Sequence, residues 1–287
     1  MFRELKWVRG LRVDVSEELR GWRWDSPPVA PPPVGFRISL SELGGGLCET
    51  RRDVYLKRVA GVKARPSAAL NFGSYIHGVF VKTLRRLRRL VEEGVASGWE
   101  LLSAFDPEAV AREAAAGGEV DERGVKLARW LAVQVAARLD EVASRAVYVD
   151  SYSLAARAVP LLEEYVVDGR PLGLTMVKAD AFLYDVVVEV KVGPEHSRHK
   201  LALAGYAMAL EADEEVPVDR GLLVYVHVNS RVRVTATPVA IGDSLRWAFL
   251  EERDALLELL DSGRDPGLAS ACLESCPFFE VCHGANS

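Results

Sequence analysis

Apolar positions recur along the chain with two periods. Between Asn71 and Gly94 the segment NFGSYIHGVFVKTLRRLRRLVEEG puts Phe72, Ile76, Val79, Phe80 and Leu84 on one broad face, the spacing of a long amphipathic helix. Val125 to Val147 repeats that pattern, and Asp106 followed by Pro107 has the form of a capped helix start. The stretch from about 100 to 150 therefore predicts a helical insertion covering one side of a core. From Tyr165 the chain becomes strand-like, and Asp168-Gly169 predicts a tight hairpin turn into a strand at Leu174. A second hairpin follows in LTMVKADAFLYDVVVEVKVG, Leu174 to Gly193, where two β-branched and aromatic runs flank Leu183, Tyr184 and Asp185. HKLALAGYAMALEADEE then predicts a helix. GLLVYVHV and RVRVTATPV predict strands joined at Asn229-Ser230, and a further helix runs from Asp243 to about Leu260. This succession predicts an α/β fold with a mixed central sheet that opens as an antiparallel meander.

Ahead of that core, residues 1–35 carry Trp22, Trp24, Pro27, Pro28 and Pro31 to Pro33, too many prolines for a helix or a central strand. They predict an extended arm held on the surface by its tryptophans. Residues 36–287 then predict a single domain, closed by a tail from about 262. Ser39 and Ser41 can cap a short helix, and Gly44, Gly45 and Gly46 let the chain turn into Cys48. Three glycines without a following Lys and Ser/Thr make no phosphate loop.

Composition narrows the classes. At 287 residues, 49% hydrophobic and 27% charged, the chain can bury one large core or two modest ones. No apolar run approaches the ~20 residues of a membrane span, and MFRELKWVRG lacks the apolar centre of a signal peptide, which predicts a cytoplasmic protein with no membrane partner. A formal net charge of −5 argues against a strongly basic nucleic-acid coat, so any DNA contact must be local. Gln134 is the only glutamine, and asparagine is confined to Asn71, Asn229 and Asn286, a scarcity of labile amides that suits a thermophilic source or GC-rich coding.

The second hairpin holds the candidate chemistry. If Tyr184 and Asp185 form its turn, Asp180 stands directly opposite Glu189, and Lys191 lies on the same face one step along. Opposed carboxylates destabilise a sheet, typically by a few tenths to about 1 kcal/mol, so folding alone gives no reason for them. A divalent cation such as Mg²⁺ or Mn²⁺ would supply one. The competing reading is an edge hairpin with solvent-facing charges and Lys191 as their ion-pair partner. His77 lies in the first turns of the long helix after Gly73, a residue that permits close approach of another backbone, and alone it reads as a satisfied core histidine more often than as a ligand. Arg88 lies about 16 Å along the axis from His77 and roughly 20° round. With Arg85 and Arg89 it could follow a phosphate backbone, or the three could form a solvated charged face.

Four cysteines, Cys48, Cys272, Cys276 and Cys282, give one distant residue followed by C-x₃-C-x₅-C. In a cytoplasmic protein this favours a metal site over disulfides, holding either Zn²⁺ or an iron–sulfur cluster. The alternative is an ordinary buried thiol at Cys48 and three unrelated cysteines in a tail.

In this order the pieces resemble the RecB-like branch of the PD-(D/E)xK nucleases, and within it the CRISPR-associated RecB-like iron–sulfur exonucleases. The likeness runs from about Phe36 to Gly284. The G-x-x-x-H of that family is matched by Gly73 to His77, its second-strand acid by Asp180, and its D/E-x-K by Glu189-Val190-Lys191. Its one N-terminal and three C-terminal cluster ligands are matched by the four cysteines, and CETRRDVYLKRV and CPFFEVCHG look most like an archaeal subtype I-A adaptation variant. The resemblance implies a RecB-like restriction-endonuclease-like core with a [4Fe–4S] cluster clasp. It implies Mn²⁺ or Mg²⁺ held by His77, Asp180, Glu189 and the Val190 carbonyl, and catalysis by Asp180, Glu189, Lys191 and Tyr206. It also implies an exonuclease that trims DNA, single-stranded or with single-stranded ends, beside CRISPR integrase proteins.

The chain departs from the family pattern at several positions. Tyr206 fits a Q-x-x-x-Y motif, but Ala202 stands where Gln would be. Val177 replaces a Gly three residues before the acid, Lys178 follows it, and the cysteine tail has x₃ where x₂ is commoner. His196 and His199 follow the active strand and are expected at the surface. The missing Gln keeps a second reading open, a catalytically weak subunit that recognises DNA ends or motifs in the integration complex. A third reading, a zinc-stabilised structural protein, requires the carboxylate pair to be coincidence.

Overall fold

Side chains just outside the helices set where they begin. In the computed structural model, which describes all residues except 1–6, 46–47, 65–67, 146–148, 161, 184, 273, 275 and 285–287, Ser39 and Glu42 close a reciprocal capping box on α1, Leu40–Gly44. α2, Arg52–Arg58, follows, and then the long α3, Ala68–Glu92. Ser97 and Glu100 box the start of α4, Gly98–Ala104, and Asp106 caps α5, Pro107–Ala115, as the sequence predicts. α6, Glu122–Arg145, and α7, Ser151–Ala158, complete this helical layer. The predicted end of the second amphipathic pattern at Val147 lies outside the described residues.

The strands are β1, Tyr165–Val167; β2, Val177–Ala179; β3, Ala181–Leu183; and β4, Val186–Val192. α8, His199–Glu214, crosses to β5, Arg220–Val228, which returns through β6, Val232–Ala240, to α9, Asp243–Ser262, and finally α10, Phe279–His283. β1 and β2 pair antiparallel as a separate ladder, while the main sheet has the order β3-β4-β5-β6. Only β4 and β5 run parallel, joined by the α8 crossover, so the sheet is mixed.

Each face of the main sheet builds its own core. Val186, Val188 and Val190 of β4 with Leu222, Val224 and Val226 of β5 pack against the layer from α3 to α7. Val187, Leu223 and Tyr225 point the other way, into α8, α9, α1 and the ladder. The apolar run of β4 follows from this, because a strand covered on both faces has no side to leave polar.

Three expectations need correction. Asp168-Gly169 makes no two-residue turn: residues 168–176 separate β1 from β2, Gly169 has a φ of −85°, and Asp168 instead binds the amide and guanidinium of Arg170 over a 3₁₀ turn at Arg170–Leu172. An Asx-type bond to the residue two places on competed with the hairpin turn. The arm is not fastened to the core by its tryptophans either, since Trp24 is 43% exposed and half-buried Trp22 bonds to Glu17 and lies under the Arg20 guanidinium, both of the arm itself, while Leu19 and Val29 are buried. Between them Gly21 sits so close to α8 that a Cβ would meet the Met208 carbonyl oxygen at 1.9 Å. The third concerns Gly73, where among the described residues no other segment comes within 4 Å of a Cβ built on it.

An ionic cluster fastens the arm. Arg246 of α9 and Glu211 of α8 are fully buried and joined by two bonds of 2.6 and 2.8 Å. Arg20 of the arm joins them through Glu211 at 2.8 Å and through Asp219. Glu211 also accepts from the Gly21 and Val218 amides. Nearby, buried Arg253 donates to the carbonyls of Val29 and Ala30.

Candidate active site

β3 and β4 pair as Ala181↔Val188, Phe182↔Val187 and Leu183↔Val186, the predicted register. Tyr184, the first predicted turn residue, lies outside the described residues. Extended by one residue, this register sets Asp180 against Glu189. Asp180 is the single residue between β2 and β3, at the bend where the chain leaves the ladder for the main sheet. Its carboxylate is held from two sides: Oδ2 accepts the Val190 amide at 2.6 Å, and Oδ1 lies 2.9 Å from Nε2 of His77 on α3.

Glu189 is in the second strand of the sheet and only 5% exposed, which rules out a solvated edge hairpin. Its Oε1 accepts from Lys191 Nζ at 2.5 Å, and the Tyr206 hydroxyl of α8 stands 3.5 Å from the same oxygen. Oε2 is buried with no hydrogen-bond partner among the described residues. Burial pushes the Glu189 carboxyl up to about 7; Lys191 pulls against this and Asp180 adds to it. Burial also acts against the charged form of His77, yet the bond to Asp180 and its negative field raise the imidazole above its ordinary range. Tyr206 is pushed up by burial and by both carboxylates, so its hydroxyl keeps its proton.

The hairpin thus joins His77, Asp180, Glu189, Lys191 and Tyr206, with α3 and α8 arriving from opposite faces of β4. Among the described residues no three His, Cys, Asp or Glu side chains are gathered tightly enough to hold an ion as they stand. Here the donors are turned onto one another, His77 on Asp180 and Lys191 on Glu189. The donor set still fits a divalent cation: two carboxylates and an imidazole are its usual ligands, and the orphaned Glu189 Oε2 is an acceptor whose burial is otherwise uncompensated.

Ala202 has a packing explanation. It is buried on α8 one turn before Tyr206, and a Cβ placed on Gly44 of α1 would lie 3.0 Å from its own Cβ. A longer side chain at 202 would displace α1.

The predicted arginines are not drawn to the hairpin. Arg85 donates to the Leu162 carbonyl and is otherwise exposed, Arg88 pairs with Glu92 one turn on, and Arg89 is exposed. Cys48 sits in the loop before α2, after α1 has ended at the glycines. With Cys272, Cys276 and Cys282 it lines one small cleft beside Asp53 and Phe279. Four sulfurs sharing a cleft suit a thiophilic metal or cluster. Burial raises the Cys276 thiol, and Asp53, Cys282 and Cys48 add to the shift. Direct contacts stitch the two segments together: Thr50 to the Gly267 carbonyl, Arg52 to Asp265, and Ser270 to Glu49.

Sequence reasoning missed His199. Its ring packs on Tyr225, and its Nδ1 lies 3.2 Å from the Tyr225 hydroxyl, half-buried and not at the open surface. Burial pushes it down to about 4, helped by Lys191 and His196. Only the parallel register, which pairs Lys191 with Tyr225, reveals this neighbourhood.

Fold and site define an α/β protein in which a buried glutamate, a half-buried aspartate and a lysine of a hairpin meet a histidine of a neighbouring helix at a mixed sheet. The chain matches the family described as CRISPR-associated exonuclease Csa1 over residues 1–285, and it belongs to that family. Two relatives carry the same description. The protein from Thermoproteus tenax is 36% identical over 272 residues, 94% of this chain and 92% of its own length. That from Saccharolobus solfataricus is 35% identical over 283 residues, 97% and 96% of the two chains. Both are archaeal. No helix among the described residues is long and apolar enough to cross a membrane.

Proposed function

We propose that this chain is a metal-dependent DNA exonuclease of CRISPR adaptation, trimming single-stranded DNA or single-stranded ends to prepare spacer precursors for integration. The observation that carries the reading is Glu189, buried opposite Asp180 with one oxygen unpartnered and a lysine on the other. His77, Asp180, Glu189 and the Val190 carbonyl would hold Mn²⁺ or Mg²⁺, the imidazole favouring Mn²⁺. When bound, the cation supplies Lewis-acid polarisation of the scissile phosphate and a more acidic attacking water.

The chain's own groups do the rest. Lys191 orients the attacking oxygen and offsets the negative charge that grows on the phosphate during in-line attack. Tyr206 keeps its proton and positions substrate as a neutral donor. Asp180 is held by the Val190 amide before any substrate arrives, while His77 and Lys191 must turn from the two carboxylates toward cation and substrate. Exposed Arg85 and Arg89, with Arg88, add phosphate contacts along α3. Cys48, Cys272, Cys276 and Cys282 would hold a [4Fe–4S] cluster as a clasp, in a RecB-like PD-(D/E)xK core, and CRISPR integrase proteins are the partners.

Time-resolved digestion of end-labelled single- and double-stranded DNA with Mn²⁺, by wild type and Glu189→Ala, tests the reading. Cleavage that proceeds from an end and vanishes in the variant supports it. Equal cleavage by both proteins, or none by either, overturns it.

A further inference from the structure

Beyond the hairpin, one ring nitrogen next to Lys191 has no hydrogen-bond partner among the described residues. Lys191 and Tyr225 are register partners on β4 and β5, so their side chains leave the same face of the sheet. Over that face lies α8, which presents His199 and, seven residues on, Tyr206 along a single stripe. Tyr206 stands over Glu189, and His199 stands over Tyr225, with ring centroids 5.7 Å apart. The order from the buried end outward is therefore Glu189, Lys191, His199 and then exposed His196, whose ring is 5.8 Å from that of His199.

The Tyr225 hydroxyl is placed to set the His199 tautomer. It lies 3.2 Å from His199 Nδ1 and can donate its proton there. With Nδ1 occupied as an acceptor, the neutral imidazole carries its proton on Nε2. That N–H has no hydrogen-bond partner among the described residues, and it is not among their buried unpartnered atoms. It is a donor open to an incoming acceptor. The imidazole remains neutral near neutral pH, since burial and the Lys191 ammonium hold it well below its ordinary value.

We propose that His199, oriented by Tyr225 as a neutral Nε2–H donor beside Lys191, binds a non-bridging phosphate oxygen of the DNA strand next to the cleaved linkage. A neutral donor suits this place, because a second cation against Lys191 would repel it, whereas an N–H adds a directed bond to an anionic oxygen. The role is substrate contact and not proton transfer. This inference rests on the DNA-cleaving reading above and assigns one further contact within it.

The test separates the two. Equilibrium binding of a fluorescent single-stranded oligonucleotide is measured in Ca²⁺ for wild type, His199→Ala, His199→Gln and Tyr225→Phe, beside KM and kcat in Mn²⁺. The oligonucleotides carry a single neutral methylphosphonate at successive linkages. His199→Ala should weaken binding and raise KM by about tenfold, the size of one hydrogen bond to a charged oxygen, with kcat within about threefold. His199→Gln, which keeps an N–H at similar reach, should recover most of the loss, and Tyr225→Phe should show part of it. One methylphosphonate position should cost wild type affinity and cost His199→Ala nothing further. Equal affinity of His199→Ala and wild type, or a methylphosphonate penalty that is the same in both, overturns the contact. A wild-type chain that binds the oligonucleotide but never cuts it overturns the nuclease reading alone; one that binds no DNA overturns both.

Discussion

Replacing Arg246 with methionine should remove about 3–5 kcal/mol of stability, the usual cost of leaving a buried charge without its partner. The side chain is fully buried, and its guanidinium makes six contacts to oxygen: two to Glu211, one to Asp219, and one each to the carbonyls of Leu19, Val218 and Ile241. Methionine fills much of the volume but donates nothing. Glu211 would keep Arg20 and two backbone amides, which restrains the loss to that range and keeps it from the much larger cost of an isolated buried ion. Equilibrium unfolding in guanidinium chloride would measure it for Arg246→Met, Glu211→Gln and the double variant. The double variant should lose at least about 1 kcal/mol less than the sum of the singles, since each single leaves the other group stranded. Hydrogen exchange should rise in residues 16–30, because the arm is tied through Arg20 and Gly21 to the same carboxylate. A loss below about 1 kcal/mol for Arg246→Met, or strict additivity, would refute the reasoning.

Asp180→Ala and Lys191→Ala should each abolish metal-dependent cleavage, while the metal-free Asp180→Ala protein melts lower, because the Val190 amide and His77 lose their acceptor and relief of the repulsion with Glu189 offsets only part of that; unchanged cleavage by both removes the assigned site. In metal-free protein, burial lifts the Glu189 carboxyl to about 7 against the opposing pull of Lys191, so the fold prefers the protonated acid. That contribution is complete below the unfolded carboxyl range near 4.5 and is lost progressively as pH rises to about 7, so the melting temperature should fall between about pH 4.5 and about pH 7 and level off above it in wild type, and not in Glu189→Gln. Cys276→Ala should give colourless, less stable protein with faster exchange at Cys48 and residues 276–283, while the stitches of Thr50, Arg52 and Ser270 keep residues 265–270 docked; a brown variant of wild-type stability would refute Cys276 as a ligand and the clasp with it.

Much of the fold could be read from local rules. Helix caps at Ser39 and Asp106, the amphipathic stripe of α3 and the register of β3 on β4 depend on residues close in sequence, and each stands where its pattern put it. What escaped depends on contacts between distant segments. Trp24 looks like an anchor in sequence, yet the arm is anchored by a glycine against Met208 and by Arg20, because a helix lies too near to admit a large side chain. Arg246 and Arg253 resemble any charged helix face until the carbonyls of the arm are brought over them. Of the candidate site, the acid pair and lysine were legible from strand alternation. The partnership of His199 with Tyr225 was not, since it requires knowing that β4 lies parallel to β5.

Asp180 belongs to neither ladder of hydrogen-bonded strands. β2 ends at Ala179 and β3 begins at Ala181, so this one residue is the pivot between an outer pair of strands and the main sheet. Glu189, by contrast, is paired with Leu223 of β5 inside the main sheet. Any tilt of β1 and β2 therefore changes the gap between the two carboxylates, turning the outer pair into a lever whose short arm is the acid itself. Its long arm presents Val166 and Met176 at the surface, 54% and 55% exposed, so pressure applied there reaches the carboxylate spacing without entering the site.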